Sequence, residues 1–192
     1  YLPGVSDIYP NGTQNPDPID YGFLTDDLEG AHRPGHFQGM AQVVERLLRI
    51  VEPSHLFMGQ KDYQQAAIVR RMLGEKQLPV ELIALPTVRE KDGLAMSSRN
   101  QRLGAEDRTQ ALALSKTLAW MAENRAHFKS ASTLAAAGKE RMEQVFGVIP
   151  EYLEIRDPLD LSPVDSLLPE EDYVALVAAP VGPVRLIDNR II

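Results

Sequence analysis

The stretch HLFMGQKDYQQAAIVRRMLGEKQLPVELIAL, residues 55–85, decides the fold. It opens with the short apolar run "HLFM", continues in a helical pattern from Asp62, and ends in the apolar run "PVELIAL", which Pro86 closes. Gly74 is expected to end the helix. Strand, helix and strand joined by short connections are typical of a parallel α/β sheet.

The residues before this stretch predict a loop and then another helix. Residues 1–22 are rich in Pro, Asn, Asp and Gly, and we expect a loop that follows the end of a strand. The segment "HFQGMAQVVERLLRIV", residues 36–51, has apolar residues at the spacing of one buried helical face. These residues are Met40, Val43, Val44, Leu47, Leu48 and Val51.

The pattern changes past Leu103. Residues 105–128 predict a long amphipathic helix with an acidic first turn, and Ser130 or Ser132 is expected to cap a second helix that ends near Gly147. "EYLEIRD", "DYVALVAA" and "VRLIDNRII" then predict three strands, with "APVGP" turning between the last two. We therefore place a boundary near residues 98–104 and expect two domains, residues 1–100 and residues 101–192, the second of α+β type.

Composition excludes several classes of function. The 192 residues carry a formal charge of −7, which does not suit a nucleic-acid-binding protein because phosphate backbones are bound by basic surfaces. Cysteine is absent, so neither a disulfide framework nor a thiolate site is predicted, and a cytoplasmic location is expected. The sequence contains no apolar run of the roughly 18 residues that a membrane span needs, and no membrane partner is expected.

The corner "GQKDYQQ", residues 59–65, predicts an anion site. A lysine beside the positive end of a helix dipole is unfavourable unless an anion shares the site. Gly59 lets the backbone turn tightly, Lys61 supplies a charge and the helix start supplies free N–H groups, a set that suits a phosphate. Two simpler interpretations stay open: Lys61 as a solvated surface lysine, and Asp62 with Gln65 as a capping box.

The loop "VREKDGLAMSSRN", residues 88–100, predicts a second polyphosphate contact. Ser97 and Ser98 offer hydroxyl donors, and Arg99 offers a permanent charge. Asp92-Gly93 forms a flexible turn that would let the loop close over a ligand. The alternative is that the two serines only cap or decorate a loop.

The segment "LEGAHRPGHFQG", residues 28–39, holds two histidines four residues apart. No cysteine or carboxylate follows at ligand spacing, so no metal site is predicted. A loop that faces a substrate and a helix-entry loop stiffened by Pro34 are equally compatible with the pattern. The Walker A, G-x-G-x-x-G and G-x-S-x-G motifs do not occur, which argues against P-loop kinases, dinucleotide oxidoreductases and serine hydrolases.

Four ordered motifs together resemble the pantoate–β-alanine ligase family: "IYPNG", "LEG..RPGHFQG", "FMGQKDYQQ" and "PTVREKDGLAMSSRN". The resemblance covers nearly the whole chain and is strongest over residues 8–103. It implies a partial Rossmann-like parallel sheet of the nucleotidylyl transferase type, followed by a small α+β C-terminal domain. It further implies an enzyme that uses ATP and Mg²⁺ to form pantoyl adenylate, which β-alanine converts to pantothenate and AMP. A homodimer is implied for the intact protein.

The resemblance assigns roles to residues by motif. The family's nucleotide segments fall on residues 59–62 and 96–99, with Val88 beside the adenine, and Lys61, Ser97 and Arg99 would stabilise charge on the phosphates. Asp62 would reach the ribose. The ATP-binding set is Gly59, Gln60, Lys61, Asp62, Val88, Met96, Ser97, Ser98 and Arg99. Gln65 would bind pantoate, and Arg33 and His36 would face the acid substrates.

Two departures from the family pattern carry expectations. Gln60 stands where the family usually has glutamate; this alters the local charge, and we expect it to be tolerated if the position acts through its backbone. The family's N-terminal part, with its H-x-G-H motif, is absent from these 192 residues, so we expect little activity from them alone and an uncovered apolar face on a remnant sheet. Two alternatives are a non-catalytic nucleotide-binding module and another adenylate-forming enzyme of the same fold.

Overall fold

The structure, a computed structural model, describes residues 2–12 and 19–192. The helices are α1 (Val5–Ile8), α2 (Phe23–Asp26), α3 (Glu29–His32), α4 (His36–Val51), α5 (Tyr63–Glu75), α6 (Ala105–Asn124) and α7 (Ala131–Glu143). The strands are β1 (His55–Gly59), β2 (Glu81–Leu85), β3 (Tyr152–Arg156), β4 (Val174–Val181) and β5 (Val184–Ile191). Short 3₁₀ helices cover Gln60–Asp62, Ser98–Arg102 and Arg125–His127.

Backbone contacts divide the chain into two compact units. The first unit comprises residues 1–59 and 64–85, and the second comprises residues 60–63 and 86–192. Residues 86–100, which the sequence assigned to the first domain, thus lie in the second unit. The functional division into an ATP-binding and a lid domain stays a prediction.

The parallel sheet of the first unit is confirmed. Strands β1 and β2 pair in parallel, from His55 opposite Glu81 to Gly59 opposite Leu85. The connecting helix α5 buries apolar side chains around most of its circumference: Ala66, Ala67, Ile68, Val69 and Met72. The combination of this sheet with a C-terminal α+β unit is the predicted fold class.

The end of α5 differs from the sequence prediction. Gly74 lies inside the helix, which runs to Glu75. Gln77 adopts a left-handed conformation with φ +51°, and the amide of Leu78 donates to the carbonyl of Leu73 at 3.0 Å. A left-handed residue followed by this long-range bond is the Schellman ending, so Gln77 rather than Gly74 stops the helix.

The buried face predicted for α4 is only partly correct. Leu48 is buried, whereas Leu47 and Val51 are 40% and 67% exposed. Phe37 and Ala41 are buried instead, near the start of the helix. Part of the apolar stripe is therefore not covered by residues that the structure describes.

The predicted N-terminal loop also contains a helical turn, because Val5–Ile8 forms α1. Asp7 stabilises the start of this turn by accepting the amide of Gly4 at 2.8 Å. Residues 13–18, which the sequence also assigned to the loop, lie outside the described residues.

The second unit is a three-stranded antiparallel sheet in the order β3-β4-β5, packed against α6 and α7. The two predicted helices and three predicted strands are present, but the helices end earlier than expected, at Asn124 and at Glu143. Ser130 is the N-cap residue of α7, although its side chain makes no capping hydrogen bond. Apolar residues of both helices and all three strands form one core, which includes Leu114, Leu118, Met121, Leu134, Met142, Leu153, Ile155, Val177 and Leu186.

A glycine sets the distance between α7 and the sheet. A Cβ added at Gly138 would lie 2.5 Å from Leu153 Cδ2 and 3.0 Å from Met121 Sδ. Real Cβ atoms do not approach other atoms this closely, so a side chain at this position would force the buried Leu153 and Met121 side chains to shift.

Two strand residues of the first unit expose large apolar side chains. Phe57 of β1 is 60% exposed and Leu85 of β2 is 48% exposed. The expectation of an uncovered apolar face is thus confirmed for the described residues. None of the described helices is both long and apolar enough to span a membrane.

Candidate nucleotide site

The first candidate segment, Gln60–Asp62, is a 3₁₀ helix that precedes α5. The predicted helix start at Asp62 is therefore one residue early, and Lys61 sits in the tighter turn before it. Its side chain is 22% exposed, and its Nζ lies 3.9 Å from Asp62 Oδ1. Asp62 is more exposed, at 55%, so its carboxylate remains accessible to a ligand beside the amine.

The second candidate segment begins as a hairpin-like loop. Arg89 and Ala95 form an antiparallel bridge, and the amide of Met96 donates to the carbonyl of Val88 at 2.9 Å. Gly93 makes the turn with φ +94°, and its amide bonds the carbonyl of Glu90 at 2.9 Å. The predicted Asp92-Gly93 turn is confirmed as a hydrogen-bonded turn.

An apolar pair lies at the open end of this loop. Val88 is 64% exposed and Met96 is 54% exposed, although Leu94 and Ala95 beside them are buried. Because Met96 and Val88 are joined by a backbone hydrogen bond, their exposed side chains belong to one local surface. Such a surface suits the flat face of an aromatic base.

Ion pairs tie the loop to helix α6. Arg108 bonds Glu90 Oε2 at 2.5 Å and Asp92 Oδ2 at 2.8 Å. The buried Asn100 donates to Glu90 Oε1 at 2.6 Å and to the carbonyl of Ala95 at 3.0 Å. The hydrogen bonds from Asn100 and Arg108 lower the pKa of Glu90. The turn that the sequence predicted to be flexible is therefore attached to a framework that holds both arms of the loop, and its closing over a ligand stays a prediction.

The pKa of Asp92 is lowered as well. Partial burial acts in the opposite direction, but the hydrogen bonds from the amide of Leu94 and from Arg108 outweigh it. The same two carboxylates raise the pKa of the Arg108 guanidinium. All three groups are thus held in their charged forms.

The hydroxyl segment Ser97–Arg99 starts the 3₁₀ helix Ser98–Arg102. Ser97 is its N-cap residue, and its Oγ accepts the amide of Arg99 at 3.2 Å. The capping interpretation of Ser97 is therefore observed. Ser98 and Arg99 are exposed, so the hydroxyl and the guanidinium are accessible to solvent and to a ligand.

One strand contacts both candidate segments. The 3₁₀ helices Gln60–Asp62 and Ser98–Arg102 each pack against β5. All of the predicted ATP-binding residues except Gly59 thus lie in the second unit.

Gly59 and Gln65 lie in the first unit. Gln65 is half-buried, and within the described part of the chain no hydrogen bond engages its side chain. Its neighbour Gln64 has a structural role, because its amide donates to the carbonyls of Leu24 and Asp27 and accepts the amide of Glu29. Of the two adjacent glutamines, Gln65 is the one left available for a ligand.

Arg33 and His36 also lie in the first unit, at the turn that leads into α4. Arg33 is exposed and His36 is half-buried. Burial, and then the positive charge of Arg33, lower the pKa of His36, so the ring is neutral near pH 7. Gly35, with φ +73°, gives the turn its left-handed residue.

The sequence interpretation missed three polar residues. Arg89 donates to both carboxylate oxygens of Asp188, at 2.7 and 3.0 Å. Asn189 donates to the carbonyls of Gln60 and Lys61, at 2.9 and 2.8 Å. The available signal was the adjacent polar pair "DN" inside the predicted strand "VRLIDNRII".

No group of three or more His, Cys, Asp or Glu side chains with metal-site geometry occurs among residues 2–12 and 19–192. An all-protein metal cage is thus not a feature of the described structure.

Comparison with known proteins gives one consistent result. The profile of a family described as pantoate–β-alanine ligase matches residues 1–191. A pantothenate synthetase of Pseudomonas paraeruginosa is 41% identical over 190 residues, which are 98% of this chain and 66% of the relative. The chain therefore spans about two-thirds of the length of that relative.

Solved structures agree with this match. The crystal structure of pantothenate synthetase from Thermus thermophilus is 41% identical with a TM-score of 0.87, and the match covers 98% of this chain and 67% of that one. The pantoate–β-alanine ligase of Francisella tularensis, complexed with β,γ ATP and β-alanine, is 28% identical with a TM-score of 0.71. That match covers 97% of this chain and 61% of the other.

Proposed function

The chain belongs to the pantoate–β-alanine ligase family. From this premise we propose that the intact protein, called the full chain below, is an ATP-dependent ligase that joins pantoate to β-alanine. One observation carries the assignment of the nucleotide site: residues 60–62 and 98–102, which both carry predicted phosphate ligands, pack against the same strand, β5. The ATP complex of the Francisella relative supports ATP as the nucleotide.

Each candidate residue has a role that matches its surroundings. Lys61 and Arg99 bring positive charge to the phosphate oxygens, and the hydroxyls of Ser97 and Ser98 add donors. Gly59 ends strand β1, and Gln60 begins the 3₁₀ helix that carries Lys61. The exposed carboxylate of Asp62 accepts hydrogen bonds from the ribose. Val88 and Met96 provide the apolar surface for the adenine.

The proposed reaction has two steps. A carboxylate oxygen of pantoate attacks the α-phosphorus of ATP, and the bond to the pyrophosphate leaving group breaks, which gives pantoyl adenylate. The amine of β-alanine then attacks the acyl carbon, the acyl C–O bond breaks, and pantothenate and AMP form while the amine loses a proton. Lys61, Ser97 and Arg99 would stabilise the charge that builds on the phosphate oxygens in the first step.

Three residues are proposed to contact the acid substrates. Gln65, whose amide is available, would hydrogen-bond pantoate, and Arg33 and His36 would face the carboxylates. Because the lowered pKa keeps His36 neutral near pH 7, its ring would act there as a hydrogen-bond donor rather than as a cation.

Mg²⁺ fits this site as part of the Mg–ATP complex. It keeps several waters and is usually held through substrate phosphates, so it would be bound here chiefly through the nucleotide, while Asp62 contacts the ribose. Bound in this way it would neutralise phosphate charge.

A homodimer and a cytoplasmic location stay predictions. The 192 residues alone are proposed to have little activity, since the relatives are longer and carry further segments.

An isotope experiment tests the reaction directly. The full chain is incubated with Mg–ATP, β-alanine and pantoate that carries ¹⁸O in its carboxylate, and the products are analysed by mass spectrometry. Pantothenate, AMP and pyrophosphate should form in equal amounts, with one ¹⁸O atom in each AMP. Release of ADP and phosphate, or AMP without the label, would contradict the adenylate route.

Replacing the lysine tests the site. In the full chain, Lys61→Ala should lower kcat/KM for ATP by roughly 10²- to 10³-fold, because it removes the amine expected to stabilise transition-state charge. The matched control is Lys116→Ala, an exposed lysine on α6, which should change little. Circular dichroism checks that both variants are folded. Equal activities for the two variants would return Lys61 to the role of a surface lysine.

A further inference from the structure

Two adjacent residues of β5, Asp188 and Asn189, are polar and yet buried. They are 4% and 2% exposed. Polar groups at this depth are costly unless they are hydrogen-bonded. Both have partners, and each partner belongs to one of the two regions that carry the proposed nucleotide ligands.

Asn189 holds the backbone on both sides of Lys61. Its Nδ2 donates to the carbonyl of Gln60 at 2.9 Å and to the carbonyl of Lys61 at 2.8 Å, which uses both of its N–H groups. These carbonyls belong to the two peptide planes that meet at the Cα of Lys61. Fixing both planes fixes the direction in which the Lys61 side chain leaves the backbone.

Asp188 holds the loop of residues 88–96. Its carboxylate accepts two hydrogen bonds from Arg89, which also donates to the carbonyl of Gly93 at 3.1 Å. Arg89 follows Val88 directly and pairs with Ala95 across the loop. The base of the loop that carries Val88 and Met96 is therefore attached to β5 by a bidentate ion pair.

Strand geometry explains how neighbouring residues serve two regions. β5 pairs with β4 in continuous register from Val184 to Ile191, so its successive side chains point to opposite faces. Asp188 thus reaches the loop from one face, and Asn189 reaches residues 60–61 from the other.

We propose that Asn189 is a positioning residue for ATP, which acts through Lys61 by fixing the two peptide planes around it, while Asp188 holds the neighbouring loop through Arg89. This inference rests on the proposed function. Asn189 need not contact ATP. Residues 60–63 have a second attachment, from Tyr63 Oη to the carbonyl of Pro158 at 2.8 Å, so loss of Asn189 should loosen Lys61 without detaching the segment.

The test is a double-mutant cycle in the full chain. Asn189→Ala, Lys61→Ala and the double variant are compared with wild type by steady-state kinetics for ATP and for pantoate. The matched control is Asn124→Ala, because Asn124 also donates from Nδ2 to a carbonyl, that of Trp120, at 2.9 Å, and this bond stays within helix α6. Melting temperatures, and hydrogen exchange of residues 60–63, are measured in parallel.

Asn189→Ala should lower kcat/KM for ATP by about 10- to 100-fold, the scale of a misplaced binding group, and should leave KM for pantoate within about twofold. Exchange at residues 60–63 should rise. In the Lys61→Ala background the same change should add less than about twofold, because the residue it acts through is gone. Asn124→Ala should leave all kinetic constants near wild type.

Full additivity of the two changes would overturn the inference, as would unchanged kinetics or unchanged exchange in Asn189→Ala. If wild type forms no pantothenate, the proposed function fails, whereas exchange at residues 60–63 still decides whether Asn189 fixes this segment. If Asn189→Ala does not fold, Asn189→Ser, which keeps one donor, is taken through the same cycle.

Discussion

At the residue scale, two arginines of one short helix allow the effect of surface charge on ATP binding to be distinguished from that of a specific contact. Arg99 and Arg102 both lie on the 3₁₀ helix Ser98–Arg102, and both are exposed. The resemblance to the ligase family assigns phosphate binding to Arg99 only. If ATP were only attracted to positive surface charge, the two arginines would contribute equally to binding. If a guanidinium forms a defined contact with a phosphate, the arginine that makes this contact would contribute most of the affinity.

Comparing Arg99→Ala with Arg102→Ala tests this distinction. Arg99→Ala should weaken ATP binding by the full chain by about 10- to 100-fold, since a charge-assisted hydrogen bond is worth roughly 1.5–3 kcal/mol. Arg102→Ala should weaken it less than about threefold, because an exposed charge is screened by salt. Isothermal titration calorimetry measures both. Equal losses would mean that only the summed charge matters.

At the element scale, the loop of residues 86–97 depends on charged groups for its attachment. Arg108 of α6 pairs with Glu90 and Asp92, and Arg89 pairs with Asp188 of β5. These ion pairs attach the loop to a helix and a strand of the same unit and restrict its movement. The hydrogen bonds that lower the pKa of Glu90 stabilise its charged form, which makes this attachment sensitive to acid.

The sign of the pH effect follows from that lowered pKa. A carboxyl group whose pKa is lower in the folded state stabilises the fold above its unfolded pKa, and this contribution is lost as pH falls through the folded value. Glu90→Gln should therefore lower the melting temperature at pH 7, and its difference from wild type should shrink below about pH 4. Scanning calorimetry between pH 7 and 3 measures this, with the exposed Glu123→Gln as control. A difference that stays constant with pH would show that the charge of Glu90 does not stabilise the loop.

Close packing of α7 on the sheet gives a second prediction at this scale. Gly138→Ala should destabilise the protein by about 1–3 kcal/mol, because the new methyl group meets Leu153 and Met121. Gly74→Ala in α5 is the control, since a Cβ there meets nothing within 4 Å, and it should stabilise by about 0.5–1 kcal/mol. Urea denaturation measures both. Equal effects of the two changes would contradict the packing explanation.

At the scale of the whole molecule, local sequence patterns predicted most of the helices and strands, but they did not predict the contacts between residues far apart in the chain. The alternation of apolar runs and helical patterns was sufficient for β1, α5 and β2, and for the antiparallel unit. The stop of α5 at Gln77 was not predictable, because glutamine rarely adopts a positive φ. The role of Asn189 was not predictable either, because its partners at residues 60–61 lie 128 and 129 positions away and no local pattern reports such a contact.

The site shows the same division between local and distant information. Lys61, Ser97 and Arg99 were predicted from residue types at the ends of elements and from ordered motifs. The attachment of residues 86–100 to the C-terminal unit was not, since the ion pair of Arg89 with Asp188 spans 99 positions. The sequence therefore predicted the proposed ligands of ATP, and only the structure revealed the residues that hold them in place.

The most direct test of the central claim is a crystal structure of the full chain with Mg²⁺ and a non-hydrolysable ATP analogue. Our account predicts that Lys61 Nζ and the Arg99 guanidinium both lie within about 3 Å of phosphate oxygens of one nucleotide. A nucleotide whose phosphates contact neither group, or only one of them, would contradict it.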